Sequence, residues 1–335
     1  MSDGVEPAPR RVLLVNVSRI GDTLLATPAL RALAAHWPAA AVDFLGHPKR
    51  FEIIEHLPFV ATAGPITKHR APFLGWLSGR KWDVAVVCGF DQPLVAYALR
   101  VADRVAAFRQ ESASLNARLF RCVERLAFQS GHATDVPLTL TRSLGVPDAG
   151  HRLAYKVTSE ERTWARSTLA ARGAQGARPL VGLQVASFPT KGYRDWPIEK
   201  FAELCKRILG RWGQAHFLIF GGSLEQTRTR SLADGLGRRA SLFAGALSLR
   251  QSAALMNELN LYVGVDTGPT HIMGALEAPM VPLYHCHSPS RLLAPLERPK
   301  CFVVDHPRAA GCSEDTPMAE IEVETVWRRV LEALA

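Results

Sequence analysis

Residues 11–30 read RVLLVNVSRIGDTLLATPAL, and the order of their properties decides the fold. Arg11–Val17 is an apolar run bounded by polar residues, which predicts a buried strand. Ser18-Arg19-Ile20-Gly21 predicts a loop. From Asp22 to His36, Leu24, Leu25, Leu30 and Leu33 fall near one face and Pro38 stands just past the end, which predicts a helix. Val42–Leu45 reads as a second strand and Asp83–Cys88 as another. Strand, helix, strand at this spacing opens a parallel α/β sheet.

The same grammar restarts in the second half. Leu180–Ala186 reads as a strand, Ile198–Trp212 as a helix, and Ala215–Phe220 as a strand ending in Gly221-Gly222. Leu249–Asn257 is a short helix, Leu261–Val265 a strand, Pro269–Leu276 a helix start and Met280–Tyr284 a strand. A chain of 335 residues suits two domains of ordinary size. The expected organisation is a Rossmann-like domain over 10–155, a second over 156–320, and an amphipathic C-terminal helix within 321–335. The joining region holds Gly145, Gly150, Gly173 and Gly176 with a helix over Ser159–Arg172. In such sheets ligands sit beyond the carboxyl ends of the strands. The segments to watch are therefore Ser18–Asp22, Gly89–Asp91, Ser187–Trp196, Gly221–Glu225 and Asp266–His271.

Hydrophobic residues make up 47% and charged residues 21%, the mix of a globular protein with real cores. The net charge of +9 is shared between halves: 17 Lys+Arg against 13 Asp+Glu over 1–150, and 23 against 18 over 151–335. A surplus this diffuse fits an anionic substrate or membrane surface and lacks the stripe or tail expected for nucleic acid. No apolar run approaches the ~18–20 residues that span a bilayer, and the N-terminus lacks the apolar core of a secretory signal. These features point to a cytoplasmic protein. Its six scattered cysteines (88, 122, 205, 286, 301 and 312) are then expected mostly as buried small hydrophobes. Cys286, Cys301 and Cys312, with His285 and His287, match no common zinc spacing.

Each candidate site residue has two readings. Asp22 sits where a helix begins, so it is either a helix cap or a carboxylate held ionised for chemistry. Gly21 is either a turn residue or a point of close backbone approach. Asp266-Thr267-Gly268-Pro269-Thr270-His271 predicts strand end, loop and helix start. Such a start is either simply capped or offers free N–H groups to an anion. His271 is a structural histidine or a donor to that anion. Glu225, after Gly221-Gly222, is a solvated helix-start acid or a ligand contact. Arg194 and the nearby Lys191 are both able to neutralise phosphate, Arg194 with a planar fork. Arg100–Arg125 holds six arginines against three acids, and Arg118, Arg121 and Arg125 would share one helical face. That face is either merely solvated or a site for an anionic acceptor or membrane. His47, Lys49, Arg50, Lys68, His69 and Arg70 are further candidates for that side.

Val17–Leu30, the stretch Arg194-Asp195-Trp196-Pro197-Ile198-Glu199-Lys200-Phe201, and Gly264-Val265-Asp266-Thr267-Gly268-Pro269-Thr270-His271 together resemble the motifs of glycosyltransferase family 9, the heptosyltransferases. They occur in that family's order and span nearly the whole chain; Arg194 stands where many relatives carry Lys. The resemblance implies a GT-B type α/β fold, two Rossmann-like domains facing each other across a cleft. It implies an inverting, metal-independent transfer with no cofactor, in which Asp22 is the general base. An ADP-sugar, ADP-heptose by resemblance, would be held by Lys191 or Arg194, Glu225, Asp266, Thr267, Gly268, Thr270 and His271. The partner would be a lipid A-core acceptor, with Ser18, Arg19 and Gly21 lining its site and Arg118, Arg121 and Arg125 as the candidate anion-binding face. No DxD-type carboxylate pair is present to hold a metal. Peripheral contact with the inner face of the cytoplasmic membrane would follow from such an acceptor. The rival readings are a nucleotide-sugar epimerase or hydrolase of the same fold, and a non-catalytic nucleotide-sugar-binding protein.

Overall fold

The computed structural model describes residues 7–127, 130–308 and 310–335. They form two compact units, the first ending at Lys156 and the second running Val157–Ala335. The first holds a six-stranded sheet of β1 (Arg11–Asn16), β2 (Ala41–Gly46), β3 (Thr62–Pro65), β4 (Trp82–Val87), β5 (Ala102–Phe108) and β6 (Arg121–Val123). All pairings are parallel, in the order β3-β2-β1-β4-β5-β6. The second holds β7 (Leu180–Gln184), β8 (His216–Phe220), β9 (Ala240–Leu242), β10 (Leu261–Val265), β11 (Met280–Tyr284) and β12 (Val304–Asp305). These too are parallel, in the order β12-β11-β10-β7-β8-β9. Each is a doubly wound α/β unit, and two such units in one chain make up the GT-B type of fold. Strand order reverses between β1 and β4 and between β7 and β10. There the loops diverge and leave a crevice.

The central strands are apolar throughout because helices cover both faces of the sheet. β7, β8, β10 and β11 are wholly buried. The helix Ile198–Arg211 buries Phe201, Leu204, Cys205 and Ile208, the i, i+3, i+4, i+7 stripe of an amphipathic helix. At about 1.5–3 kcal/mol for each fully buried large side chain, this stripe fixes the helix on its sheet. Trp196 is fully buried beside it, stacked edge-on against Phe201 and donating its indole N–H to the Ile321 carbonyl at 2.9 Å. The Trp-Pro element is therefore an anchor: it pins the end of the loop that carries Lys191 and Arg194.

Two local expectations change. The helix expected over Asp22–His36 is two helices, Ile20–Leu25 and Thr27–His36, meeting at Ala26. Pro28 supplies no N–H to continue the first, and the Thr27 hydroxyl takes the Leu24 carbonyl at 2.6 Å. Arg19 occupies the cap position and Asp22 lies inside the first turn, so Asp22 is not the cap. Gly21 is likewise inside this helix and has no left-handed φ.

The arginine-rich stretch is not one helix. The helix Gln92–Val101 ends where β5 begins, and the short helix Ala113–Asn116 and β6 follow. Arg118 lies beyond that short helix, Arg121 opens β6, and Arg125 follows it. The expected shared helical face of Arg118, Arg121 and Arg125 does not exist. Val105, Ala106, Ala107 and Phe108 are buried as a strand core, which outweighs the spacing of the cations.

Candidate functional site

In the first unit, the loops after β1 and β4 enclose a cavity of about 460 Å³, lined by Asn16, Val17, Ser18, Asp22, Leu25, Cys88, Gly89, Phe90, Asp91, Ala133, Val136 and Pro137. Asn16, the last residue of β1, donates its side-chain N–H to the Asp22 carbonyl at 3.0 Å and so ties the helix start to the strand end. Arg50 does the same for the intervening loop, donating to the Ser18 carbonyl at 2.8 Å. The Ser18 hydroxyl is buried without a hydrogen-bond partner. The Asp22 carboxylate is exposed and has no hydrogen bond or ion pair among the described residues. Asp91 differs: Lys68 stands 3.8 Å from it. Burial pushes the Cys88 thiol up to about 12, so it stays protonated and is no nucleophile near neutral pH.

The other acceptor-side candidates separate. Arg19 and Arg118 are exposed. Arg121 lies over the Phe120 ring at 4.3 Å and donates to the Ser143 carbonyl at 2.8 Å. Arg125 places its guanidinium 3.9 Å from the centre of the Phe90 ring, which lines the cavity. Arg125 is thus the one member of that trio beside the cavity wall. Among the outlying basic residues, Arg50 and Lys68 reach cavity-lining groups.

In the second unit, loops after β7, β8, β10 and β11 carry the candidate donor residues. Gly264 lets β10 approach β7 at the switch point: a Cβ there would meet the Gln184 Cβ at 2.8 Å. Beyond it, Asp266 is only 3% exposed and receives Arg194 Nη1 on Oδ2 at 2.6 Å. Arg194 Nη2 donates to the Ser288 hydroxyl at 3.0 Å and Nε to the Tyr193 hydroxyl at 3.3 Å. Its fork is therefore fixed at the start of the helix Gly268–Ala275. His271 Nε2 lies 3.5 Å from Asp266 Oδ1, and its Nδ1 is buried without a hydrogen-bond partner. An unsatisfied buried ring nitrogen here is costly unless a ligand or water meets it.

Thr270 departs from the expected contact set. Its buried hydroxyl donates to the Val265 carbonyl at 2.6 Å and lies 2.9 Å from the Tyr262 hydroxyl. It shapes the loop from inside. Thr267 and Gly268 form the partly exposed turn into the helix, where first-turn N–H groups have no helical acceptor. Glu225 precedes the helix Gln226–Leu236 and folds back over Gly222, where a Cβ would come within 2.6 Å of its Oε2. Lys191 is 3.2 Å from Glu314 and 3.4 Å from the Tyr193 hydroxyl. That pairing raises the Lys191 pKa and lowers that of Glu314. Tyr193 thus touches both cations. Tyr193, Ser288 and Glu314 were not singled out by the sequence; the run Lys191-Gly192-Tyr193-Arg194 held the signal for the first of them.

Cys286 and Cys312 form a disulfide, joining the Ser288 loop to the Glu314 loop. This departs from the expectation of reduced cysteines. His285 lies close to both sulfurs, but its Nδ1 accepts the His287 N–H at 3.0 Å and its Nε2 is 2.7 Å from the Thr316 carbonyl. The donor set is engaged by the protein itself. Burial lowers the His285 pKa, which keeps the ring neutral for this pair of bonds.

Two parallel doubly wound units, each with polar loops beyond the carboxyl ends of its strands, define the class of fold: the GT-B type. The model of glycosyltransferase family 9 (heptosyltransferase) matches residues 95–321. The chain belongs to that family and is a glycosyltransferase. Among similar proteins, lipopolysaccharide heptosyltransferase 1 of Pseudomonas aeruginosa is 29% identical over 301 residues, covering 82% of this chain and 78% of the relative. A family 9 glycosyl transferase structure from Veillonella parvula aligns with TM-score 0.82 at 20% identity, covering 97% of each chain. That of the Escherichia coli ADP-heptose lipopolysaccharide heptosyltransferase II aligns with TM-score 0.79 at 20% identity, covering 97% of this chain and 98% of that one. At these identities the structural likenesses speak for the fold. The family match begins after the Asp22 loop, whose case rests on its own residues and geometry.

Proposed function

We propose that this chain transfers a heptose, or a closely related sugar, from an ADP-sugar to the core of a lipid A-linked acceptor, with inversion and without a metal. The observation that carries this reading is the fixed Arg194 fork at the start of the helix Gly268–Ala275, beside the unpartnered Nδ1 of His271. A departing diphosphate needs positive charge that does not have to reorganise during the reaction. Arg194 supplies it, with the first-turn N–H groups around Gly268 and the imidazole of His271. Asp266 orients Arg194 and is itself too negative and too enclosed to face phosphate. Lys191, already bonded to Glu314, adds charge at longer range. Glu225 would accept from a hydroxyl of the nucleoside.

In this reading the first unit binds the acceptor, with Ser18, Arg19, Gly21 and Arg125 around the Asp22 cavity. Asp22 takes the proton of the acceptor hydroxyl as that oxygen attacks the anomeric carbon, and ADP leaves with the bonding pair. The anomeric centre inverts through an oxocarbenium-like state. Asp22 suits this role because its carboxylate has no competing cation among the described residues, whereas Asp91 is paired. An acceptor of this kind implies work at the cytoplasmic face of a membrane, reached peripherally. No helix among the described residues is long and apolar enough to cross one.

The test is incubation with ADP-heptose and a Kdo-bearing lipid A acceptor, with product mass and anomeric configuration read out. One added heptose of inverted configuration, formed equally with EDTA, is expected. Retention of configuration would remove Asp22 as a simple base, and loss of turnover in EDTA would overturn the metal-free step.

A further inference from the structure

The helix Ala71–Ser78 in the first unit has two unlike faces. Ala71 and Gly75 are buried, and a Cβ at Gly75 would press on Tyr97 and Arg100 of the helix Gln92–Val101. The outer face carries Phe73, Trp76 and Leu77, which are 62%, 76% and 59% exposed. These three are spaced i, i+3, i+4 and form one apolar surface. Such a surface on a soluble unit marks an interaction site.

Charge says what covers it. The segment Thr67–Lys81 contains Lys68, Arg70, Arg80 and Lys81, with His69, and no acidic residue. The basic residues flank the apolar face at both ends and are exposed; Lys68 lies 3.8 Å from Asp91 and Arg80 pairs with Asp103, while Arg70 and Lys81 have no carboxylate partner among the described residues. Large apolar side chains including a tryptophan, bracketed by cations, are the pattern of a helix lying in the headgroup layer of an anionic bilayer.

Position supports the same partner. Pro72, at the start of this helix, lines an open groove of about 540 Å³ with Phe90, Asp91, Gln92, Pro93, Ala96 and Leu115. Phe90 and Asp91 also line the Asp22 cavity. The apolar face, the groove and the cavity are thus consecutive on one unit. We infer that the Phe73/Trp76/Leu77 face inserts into an anionic lipid surface, so that a lipid-borne acceptor enters the Asp22 cavity along the Phe90–Asp91 groove. This rests on the proposed lipid-linked acceptor for its purpose. The contact itself is measurable without donor or acceptor, so the failure of either is visible apart from the other.

The experiment uses the full chain and vesicles of equal parts phosphatidylglycerol and phosphatidylcholine, with pure phosphatidylcholine vesicles as the neutral arm. Co-sedimentation is expected with the anionic vesicles, falling with added salt. The variant F73S/W76S/L77S should bind at least about tenfold more weakly while keeping its melting temperature and its ADP affinity. Brominated lipid should quench the tryptophan fluorescence of the native chain, and Trp76→Phe should remove most of that quenching. Equal vesicle binding by the native chain and the triple variant would overturn the inference, as would no binding by the native chain. A native dimer that the triple variant converts to monomer in sedimentation velocity would also overturn it, assigning the face to a second copy of the chain.

Discussion

The two loop clusters beyond the sheets are built in opposite ways. In the first unit, Asp22 presents a carboxylate with no partner among the described residues, at the edge of an open cavity whose wall includes the buried, unpartnered hydroxyl of Ser18. In the second, Arg194 is held at Nη1, Nη2 and Nε by Asp266, Ser288 and Tyr193. Under the proposed reaction, the difference is a division of labour. A group that must receive a proton is left free to meet its substrate. A group that must stabilise departing charge is fixed beforehand, so that no reorganisation is needed when the bond breaks.

The largest expected effect is at the free carboxylate. Asp22→Asn preserves size and should lower kcat by about 10²–10⁴, the usual contribution of a positioned base. ADP affinity and melting temperature should hardly move, because the carboxylate supports no other group. Turnover within a few-fold of the native chain would return Asp22 to the surface and make Asp91 the next residue to test.

The fixed cation should respond differently, in binding and stability together. Arg194→Ala should weaken ADP binding by about 1.5–3 kcal/mol, the range for a hydrogen bond to a charged group, read by calorimetry. It should also lower the melting temperature, because Asp266 is left buried with only His271 beside it. Lys191→Ala should weaken ADP binding less than Arg194→Ala does, since Lys191 is already paired with Glu314. The reverse ranking would place the phosphates at Lys191. ADP binding unchanged in both variants would place them elsewhere.

The smallest effect concerns acid. Burial holds the folded pKa of His285 below its ordinary value of 6.5. The folded state therefore takes up its proton less readily than the unfolded state. The contribution is fully present above pH 6.5 and is lost as the pH falls through the folded value. Melting temperature measured from pH 7.5 to 5.5 should fall more in the native chain than in His285→Gln. Parallel slopes would show that the bond His285 Nδ1 accepts from the His287 N–H is not what the acid removes.

Legibility followed burial. β1, β7, β10 and β11 announce themselves as apolar runs because a covered parallel strand has no polar face. β3, β9 and β12 lie at or toward the sheet edges and span only four, three and two residues, too short to show a period. Arg118, Arg121 and Arg125 mimic a helical face because spacing alone carries no knowledge of β5, whose buried Val105–Phe108 core ends the preceding helix. The candidates Asp22, Arg194, Asp266 and His271 lie in segments that follow strands, which is the signal that singled them out. Ser288 and Glu314 are 94 and 123 residues from the cations they hold, a pairing that only the folded sheet creates. Thr270 looked like a ligand contact in the motif, yet its hydroxyl is spent on Val265. Phe73, Trp76 and Leu77 drew no reading along the chain; the packing of Gly75 against Tyr97 is what leaves them facing outward.

The most direct test is ADP release from ADP-heptose with and without the lipid A-core acceptor, in the native chain and in Asp22→Asn. Release that depends on acceptor, matches the heptose transferred mole for mole, and collapses in Asp22→Asn is the predicted result. Equal release without acceptor would make the protein a hydrolase, and isomerised donor with no release would make it an epimerase. Binding of ADP-heptose with neither outcome would make it a binding protein that keeps only the fold.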